Sequence, residues 1–107
     1  CRLMAPAARA MEEALAAVAL TAPRVTLYAN VAAAPVMEPE AIREALVAQV
    51  TGTVRGRVSI AAMAEAGVDR FYELGAGKVL TGLVKRIASQ ATAAAIGTPA
   101  DVAAFAL

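Results

Sequence analysis

Residues 68–87 read VDRFYELGAGKVLTGLVKRI, and this stretch predicts a strand, a glycine turn and a helix in direct succession. Residues 71–74 are mostly strand formers, and Gly75 and Gly77 follow, where a side chain would hinder a tight turn. From Lys78 onward the apolar residues recur at helical spacing. A strand that runs through a tight turn into a helix is the basic unit of a parallel α/β sheet, and such sheets bind ligands beyond their strand ends. The apolar residues of the predicted helix are Leu80, Leu83, Val84 and Ile87.

The glycine turn matches neither of the two common phosphate-binding loops. A Walker loop needs Gly five residues before its Gly-Lys pair and Ser or Thr directly after it, but Tyr72 and Val79 occupy those places. The dinucleotide-binding fingerprint needs Gly or Ala at its sixth place, which is Leu80 here. We therefore expect no nucleotide site at this turn.

The remaining segments alternate between helical and strand patterns. This order predicts an α/β fold with a parallel sheet. Two or three strands are too few for a complete sheet, so we interpret the chain as a fragment. Helical patterns cover residues 3–18, 38–50 and 54–66, strand patterns cover residues 25–31 and 92–96, and a last helix begins after Thr98.

Several single residues support these assignments. Gly67 follows the third helix as a C-terminal cap, and Thr98 caps the last helix with Asp101 in its first turn. Asn30, near the end of the first predicted strand, either serves a site beyond the strand or caps the following turn. The stripe of the first helix that we expect to be buried consists of Met4, Met11, Leu15 and Val18.

The composition excludes several classes of protein. Ten basic and nine acidic residues give a net charge of +1, so no bulk attraction to nucleic acid or anionic membranes is expected. No apolar run approaches the roughly 18 residues of a membrane span. The single Cys1 makes neither an internal disulfide nor a metal site alone. We therefore expect a cytoplasmic protein.

The chain has no His, and its only serines, Ser59 and Ser89, lie in helical patterns, so it lacks a nucleophile–base pair.

Four segments of the chain carry a family pattern. Residues 1–8 read CRLMAPAA, residues 41–49 read AIREALVAQ, residues 67–83 begin with GVD and end with ELGAGKVLTGL, and residues 97–107 form a terminal turn and helix. Together they resemble the C-terminal third of bacterial malonyl-CoA:acyl carrier protein transacylases. The resemblance covers essentially the whole chain and is most specific at residues 73–83.

The resemblance implies an α/β fold of the α/β-hydrolase-like acyltransferase kind, with a large subdomain and a small ferredoxin-like one. Residues 1–107 would form the C-terminal part of the large subdomain, with parallel strands and flanking helices, and would lack the nucleophile elbow and the small subdomain. In the family, a serine activated by a histidine takes malonyl from malonyl-CoA and passes it to the phosphopantetheine thiol of acyl carrier protein. The histidine would stand directly before Cys1, so we expect the isolated chain to be inactive.

Gln49 is the one position to which the resemblance assigns a catalytic part. In the family, the backbone carbonyl of the matching Gln accepts a hydrogen bond from the histidine ring and thereby fixes its tautomer, as triad chemistry requires. Without the resemblance, Gln49 would be an ordinary exposed residue in the last turn of a helix.

Three cations, Lys78, Lys85 and Arg86, are predicted to form part of the docking surface for the acidic carrier protein. Helical spacing would place Lys78 and Lys85 about 20° apart around the helix, with Arg86 within about 100° of both. Cations in the last turn of a helix also complement its dipole without any partner, and this alternative stays open.

The implied partners are acyl carrier protein, malonyl-CoA and the remainder of the same chain, and the complete protein is expected to be a monomer. No metal and no cofactor of its own are expected, because phosphopantetheine is carried by the carrier protein. Two alternatives remain: an acyltransferase domain of a polyketide or multifunctional synthase, and a non-catalytic interaction module.

Overall fold

The computed structural model describes residues 2–106, and in that part of the chain it contains five α-helices and two β-strands. The chain divides into two compact units, residues 1–59 and residues 60–107, with the boundary inside the third helix. A 3-10 helix, Arg2–Met4, precedes α1 (Ala5–Ala16), α2 (Pro39–Thr51), α3 (Gly56–Glu65), β1 (Arg70–Leu74), α4 (Val79–Ile87), β2 (Thr92–Ile96) and α5 (Pro99–Ala104).

The second unit is built on a parallel pair of strands joined by α4. β1 and β2 pair in parallel register from Arg70 opposite Thr92 to Leu74 opposite Ile96. The Gly75 N–H donates to the Ile96 carbonyl over 3.1 Å and so extends the pairing into the turn. The strand–turn–helix unit predicted from residues 68–87 is therefore present, with a parallel partner strand at the predicted bounds.

The glycines of this unit adopt the conformations that their positions require. Gly75 and Gly77 have φ values of 120° and 88°, in the region where a side chain would be strained. Gly67 has a φ of 103° and ends α3: its N–H donates to the Ala64 carbonyl, while the next N–H donates to the Met63 carbonyl. These two bonds form a Schellman motif, which confirms the predicted cap.

The two faces of the sheet are covered differently. Phe71 and Glu73 are half-buried on the face that α4 covers, while Tyr72 belongs to the opposite face and is exposed. Tyr72 meets Phe105 edge to face, with ring centroids 5.2 Å apart. On α4, Val84 is only 3% exposed and Thr81 is also buried, but Leu80 is 49% exposed. The predicted apolar side of α4 is thus correct at Val84 and wrong at Leu80.

The first unit contains α1 packed against α2. The Arg43 guanidinium on α2 donates to the backbone carbonyls of Leu15 and, over 2.9 Å, of Val18, at the C-terminal end of α1. Carbonyls at a helix end lack intrahelical partners, so a side chain from the neighbouring helix satisfies them here. Glu40, one turn earlier on α2, lies 3.4 Å from the same guanidinium.

The predicted strand at residues 25–31 is wrong. Among the described residues this segment makes one antiparallel bridge, between Tyr28 and Pro35, and one flanking bond from the Val36 N–H to the Leu27 carbonyl. Val25, an apolar residue of the alternating pattern, is 74% exposed. Pro35 supplies no N–H, so the bridge cannot grow into a ladder at that point. Alternating residues need a paired neighbour to become a strand, and one bridge does not provide it.

Two helix predictions also need correction. α1 is shorter than residues 3–18, and Met4, Met11 and Val18 of its predicted buried stripe are exposed. α3 begins at Gly56 rather than at residue 54, so this glycine stands at a helix start, where its low helix propensity costs less.

Candidate functional site

Gln49 lies where α2 ends. The Gly52 N–H donates to the Ala48 carbonyl over 2.9 Å, and Gly52 itself is extended, with a ψ of 175°. The helical ladder therefore stops one residue before the Gln49 carbonyl, which is among the last carbonyls of the helix. The residue is half-buried rather than fully exposed. A main-chain acceptor at this position can receive a hydrogen bond from outside the helix, which is what the predicted role requires.

Asn30 is brought to Gln49 by the loop that precedes α2. Its Nδ2 donates to Oε1 of Gln49 over 3.3 Å, and its backbone carbonyl accepts from the Arg55 N–H over 2.8 Å. The turn around it is closed by the N–H groups of residues 32 and 33, which donate to the Ala29 carbonyl. The Asn30 side chain thus serves neither as a turn cap nor at a strand end. Its pairing with Gln49 was not predicted, since 19 residues separate the two.

A cavity of about 250 Å³ adjoins this amide pair. Its walls are mostly apolar, and its polar side-chain groups are the amides of Asn30 and Gln49 and the hydroxyl of Tyr28. The lining residues are Leu27, Tyr28, Ala29, Asn30, Ile42, Ala45, Leu46 and Gln49.

The N-terminus of α4 is occupied by a side chain of the same unit. The Glu73 carboxylate accepts from the Thr81 N–H and the Thr81 hydroxyl, both over 2.8 Å, and from the Leu80 N–H over 3.2 Å. The Thr81 N–H is the main reason that the pKa of Glu73 is lowered; burial opposes it, and the Thr81 hydroxyl and the Leu80 N–H lower the pKa further. A carboxylate thus takes the place where a helix N-terminus would otherwise attract a phosphate. This arrangement agrees with the absence of a phosphate-loop motif.

The cap of α5 confirms the sequence prediction. Thr98 Oγ1 accepts from the Asp101 N–H over 3.1 Å, and the Asp101 carboxylate accepts from the N–H groups of Gly97 and Thr98. The Gly97 N–H is the largest cause of the lowered pKa of Asp101, followed by the Thr98 hydroxyl, and the charge of Lys78 also lowers it.

The three cations predicted for docking are all exposed, but they do not share one helix. Lys85 and Arg86 lie in the last turn of α4. Lys78 is the N-cap residue, with φ −137° and ψ 23°, so it stands outside the helix. The angular relation predicted between Lys78 and Lys85 is therefore wrong, because it assumed helical geometry at residue 78. The docking role itself stays a prediction.

Within residues 2–106, no group of three or more His, Cys, Asp or Glu side chains is placed to hold a metal ion. Over the same residues, no helix has the length and apolar character needed to cross a membrane. Cys1 and Leu107, at the ends of the segments that carry the family resemblance, lie outside the described residues.

Comparisons with known proteins agree with the resemblance. No protein-family model matches the chain. The malonyl CoA-acyl carrier protein transacylase of Escherichia coli K12 is 43% identical over 104 residues, which are 97% of this chain and 34% of the relative. The chain thus spans about a third of the length of the curated relatives it matches.

Solved structures give the same result. An acyl-carrier-protein-S-malonyltransferase from Bartonella henselae is 47% identical, with a TM-score of 0.82 over 92% of this chain and 32% of that one. A type II polyketide synthase acyl-carrier protein in complex with its malonyl-transacylase matches at 37% identity and a TM-score of 0.83, over 96% of this chain and 33% of that one. The α/β-hydrolase-like acyltransferase fold is confirmed. In sequence and in fold, the chain corresponds to the C-terminal third of the malonyl-CoA:acyl carrier protein transacylases.

Proposed function

We propose that this chain works as the C-terminal part of a malonyl-CoA:acyl carrier protein transacylase in fatty acid synthesis. The complete protein would move malonyl from CoA to the thiol of acyl carrier protein through a serine ester. The observation that carries this proposal is the match over 97% of the chain to a transacylase at 43% identity, joined to the structural match at a TM-score of 0.82. A match this continuous leaves no segment of the chain that another function would have to explain.

Gln49 supplies the chemical contribution of this part of the protein. In the proposed mechanism the histidine that activates the serine is contributed by sequence preceding Cys1, and its ring N–H donates to the Gln49 carbonyl. The position of this carbonyl past the last helical bond of α2 supports the role, because a carbonyl within the ladder would already have a partner. Holding the ring by one nitrogen keeps the other nitrogen as the base toward the serine.

Acyl carrier protein and malonyl-CoA are the proposed partners, and Lys78, Lys85 and Arg86 are proposed to face the carrier protein. Exposed cations suit an acidic partner because complementary charge speeds encounter. The complex of a related malonyl-transacylase with its carrier protein supports a carrier-protein partner. We also propose that the complete protein is cytoplasmic and monomeric. Serine-ester acyl transfer uses no metal or cofactor of the enzyme, so none is assigned.

The test is an acyl-transfer assay on the complete protein, with malonyl-CoA and acetyl-CoA as alternative donors and carrier protein bearing phosphopantetheine as acceptor. We expect formation of malonyl-carrier protein and a covalent malonyl-enzyme when the acceptor is left out. The 107-residue chain alone serves as a control that should show no transfer above buffer, since it has no His. A complete protein that transfers no malonyl would reject the proposed function.

A second candidate function is malonyl transfer in polyketide synthesis, either by a separate transacylase or by a domain of a larger synthase. The match to a type II polyketide synthase transacylase complex favours it. The same assay with one carrier protein from fatty acid synthesis and one from a polyketide synthase separates the two. A kcat/KM at least tenfold higher for the polyketide carrier would favour the second candidate.

A further inference from the structure

Asn30 bonds the segment that ends α2 at two points. Its side-chain Nδ2 donates to Gln49 Oε1 over 3.3 Å, and its backbone carbonyl accepts from the Arg55 N–H over 2.8 Å. Residue 49 comes before the end of α2 and residue 55 comes after it. A single residue of the preceding loop therefore holds the helix end from both sides.

The neighbouring residue reinforces this attachment by packing. A Cβ built on Gly52 would lie 3.1 Å from Val31 Cγ1 and 2.8 Å from the Ala48 carbonyl oxygen. The absence of a side chain at Gly52 thus allows the turn to approach the loop that carries Asn30. Hydrogen bonds and close packing join the same two segments, independently of each other.

We infer that Asn30 is a positioning residue, whose side chain fixes the last turn of α2 and so the direction of the Gln49 carbonyl. This inference rests on the proposed function, because that carbonyl matters only if it orients a catalytic histidine. Asn30 has no assigned contact with the substrate or with the reacting atoms. Its effect passes through the Gln49 side chain, which it contacts directly.

The geometry explains why such a bond is needed. A carbonyl in the middle of a helix is directed by its own ladder bond, whereas the Gln49 carbonyl lies past the last ladder bond. Its direction then depends on how the last turn of α2 is held, and not on a ladder bond of its own. Misplacement of a catalytic group by a fraction of an ångström lowers the rate, although one side-chain bond controls only part of that placement. We expect losses of roughly three- to tenfold when the bond is removed.

The test uses the complete protein and the malonyl-CoA half-reaction. The variants are Asn30→Ala, Gln49→Ala and the double variant, with Asn30→Asp as a conservative variant. The Asp carboxylate can accept from the Gln49 amide once that amide has turned, so it can replace the lost bond. Gln90→Ala is the matched control, because it deletes an exposed amide outside the proposed site. Unfolding midpoints identify any variant that does not fold.

We expect each Ala variant to lower kcat by a similar factor with KM for malonyl-CoA unchanged, since alignment is lost and binding is not. The double variant should be no slower than the slower single variant, because both remove the same bond. Asn30→Asp should be faster than Asn30→Ala. Multiplied losses in the double variant, a change confined to KM, or an Asn30→Asp variant as slow as Asn30→Ala would overturn the inference and leave the proposed function standing. If Asn30→Ala does not fold, Asn30→Asp is compared with Gln49→Ala, which also lacks the bond. A faster Asn30→Asp then supports the inference, and an equally slow one overturns it. A complete wild-type protein without malonyl transfer would overturn both.

Discussion

Glu73 and Thr81 are eight residues apart in the sequence, yet the carboxylate of the first receives both the N–H and the hydroxyl of the second over 2.8 Å. The carboxylate lies on β1 and the threonine in the first turn of α4, so the contact locks the strand to the helix that follows it. It also satisfies N–H groups that a helix N-terminus leaves unpaired. Glu73 thus accepts from N–H groups in the first turn of α4, as an N-cap side chain would, although it lies on the preceding strand.

This contact predicts a pH-dependent contribution of Glu73 to stability. The pKa of Glu73 lies below its ordinary value of 4.5, chiefly because of the Thr81 N–H. A lowered pKa in the folded state means that the ionised carboxylate stabilises the fold above the ordinary pKa, and that this contribution is lost as the pH falls through the lower folded value. Glu73→Gln should therefore have a lower unfolding midpoint than the wild type at about pH 7. On acidification to about pH 3 its midpoint should fall by less than that of the wild type.

The measurement is the thermal unfolding midpoint of the complete protein as a function of pH. Glu44→Gln, which neutralises an exposed carboxylate on α2, is the matched control. It should follow the wild-type curve. Parallel curves for the wild type and Glu73→Gln would show that the carboxylate charge contributes nothing.

Substitution by Ala is expected to have opposite effects on stability at Gly97 and at Gly82. A Cβ on Gly97 would lie 2.4 Å from the Gly75 carbonyl oxygen, which belongs to the backbone and cannot move aside cheaply. Gly97→Ala should therefore cost about 2 kcal/mol or more of unfolding free energy. Gly82 lies inside α4 with nothing within 4 Å of a Cβ, so Gly82→Ala should gain about 0.5–1 kcal/mol.

Denaturant unfolding of the two variants beside the wild type tests this pair. A Gly97→Ala variant as stable as the wild type, or stabilised like Gly82→Ala, would mean that the turns at residues 75 and 97 can separate without loss. Such a result would also weaken the view that close backbone approach explains the glycine at position 97.

The parts of the fold that could be predicted are those in which local rules and tertiary structure agree. Gly75, Gly77 and Thr98 each act through their own backbone or near neighbours, and their turns and cap are found as predicted. The segment 25–31 shows the opposite case, because alternation describes only what a strand would bury, and Val25 is exposed without a ladder. Periodicity also placed Leu80 on the buried side, where Thr81 lies instead. Thr81 is buried and bonds to Glu73, and no local pattern contains that bond.

The candidate site was predicted in part for a related reason. The family motif assigns Gln49 its role, which stays a prediction, and the structure places the residue in the last turn of α2. Asn30 stands out in the sequence as a polar residue near a predicted strand end, but its partner lies 19 residues away, and their contact depends on how the loop folds back. The helical pattern predicts that α4 begins at Lys78, but the helix begins at Val79 and Lys78 is its N-cap.

Substitution of Gln49 in the complete protein distinguishes a catalytic role of its backbone carbonyl from a catalytic role of its amide side chain. If the backbone carbonyl orients the histidine, Gln49→Ala keeps the acceptor and loses only the bond with Asn30. We expect a loss in kcat of no more than roughly tenfold. A loss of the order of 10³-fold, as found for essential catalytic groups, would show that the amide side chain itself takes part. Steady-state kinetics of the malonyl-CoA half-reaction distinguish the two outcomes.

The last prediction concerns the cations at the end of α4. Lys85 and Arg86 are exposed, and no hydrogen bond or ion pair within the described residues accounts for either side chain. Two interpretations fit them: attraction of an acidic carrier protein, or complementation of the helix dipole without any partner. Charge reversal at a helix C-terminus costs some stability whether or not a partner docks there, so stability does not separate the two interpretations. The two half-reactions of the proposed mechanism do separate them.

Reversal of both charges, Lys85→Glu with Arg86→Glu, should raise KM for carrier protein at low salt and leave the malonyl-CoA half-reaction unchanged if these cations dock the partner. The effect should shrink as salt rises, because screening weakens attraction between exposed charges. Arg9→Glu with Arg24→Glu makes the same change in net charge at exposed positions elsewhere and is the matched control. Lys78→Glu, measured separately, tests whether the N-cap cation shares the surface even though it lies outside the helix. Equal effects on both half-reactions, no effect on either, or an equal effect of the control pair would reject docking and leave the helix dipole as the reason for these charges.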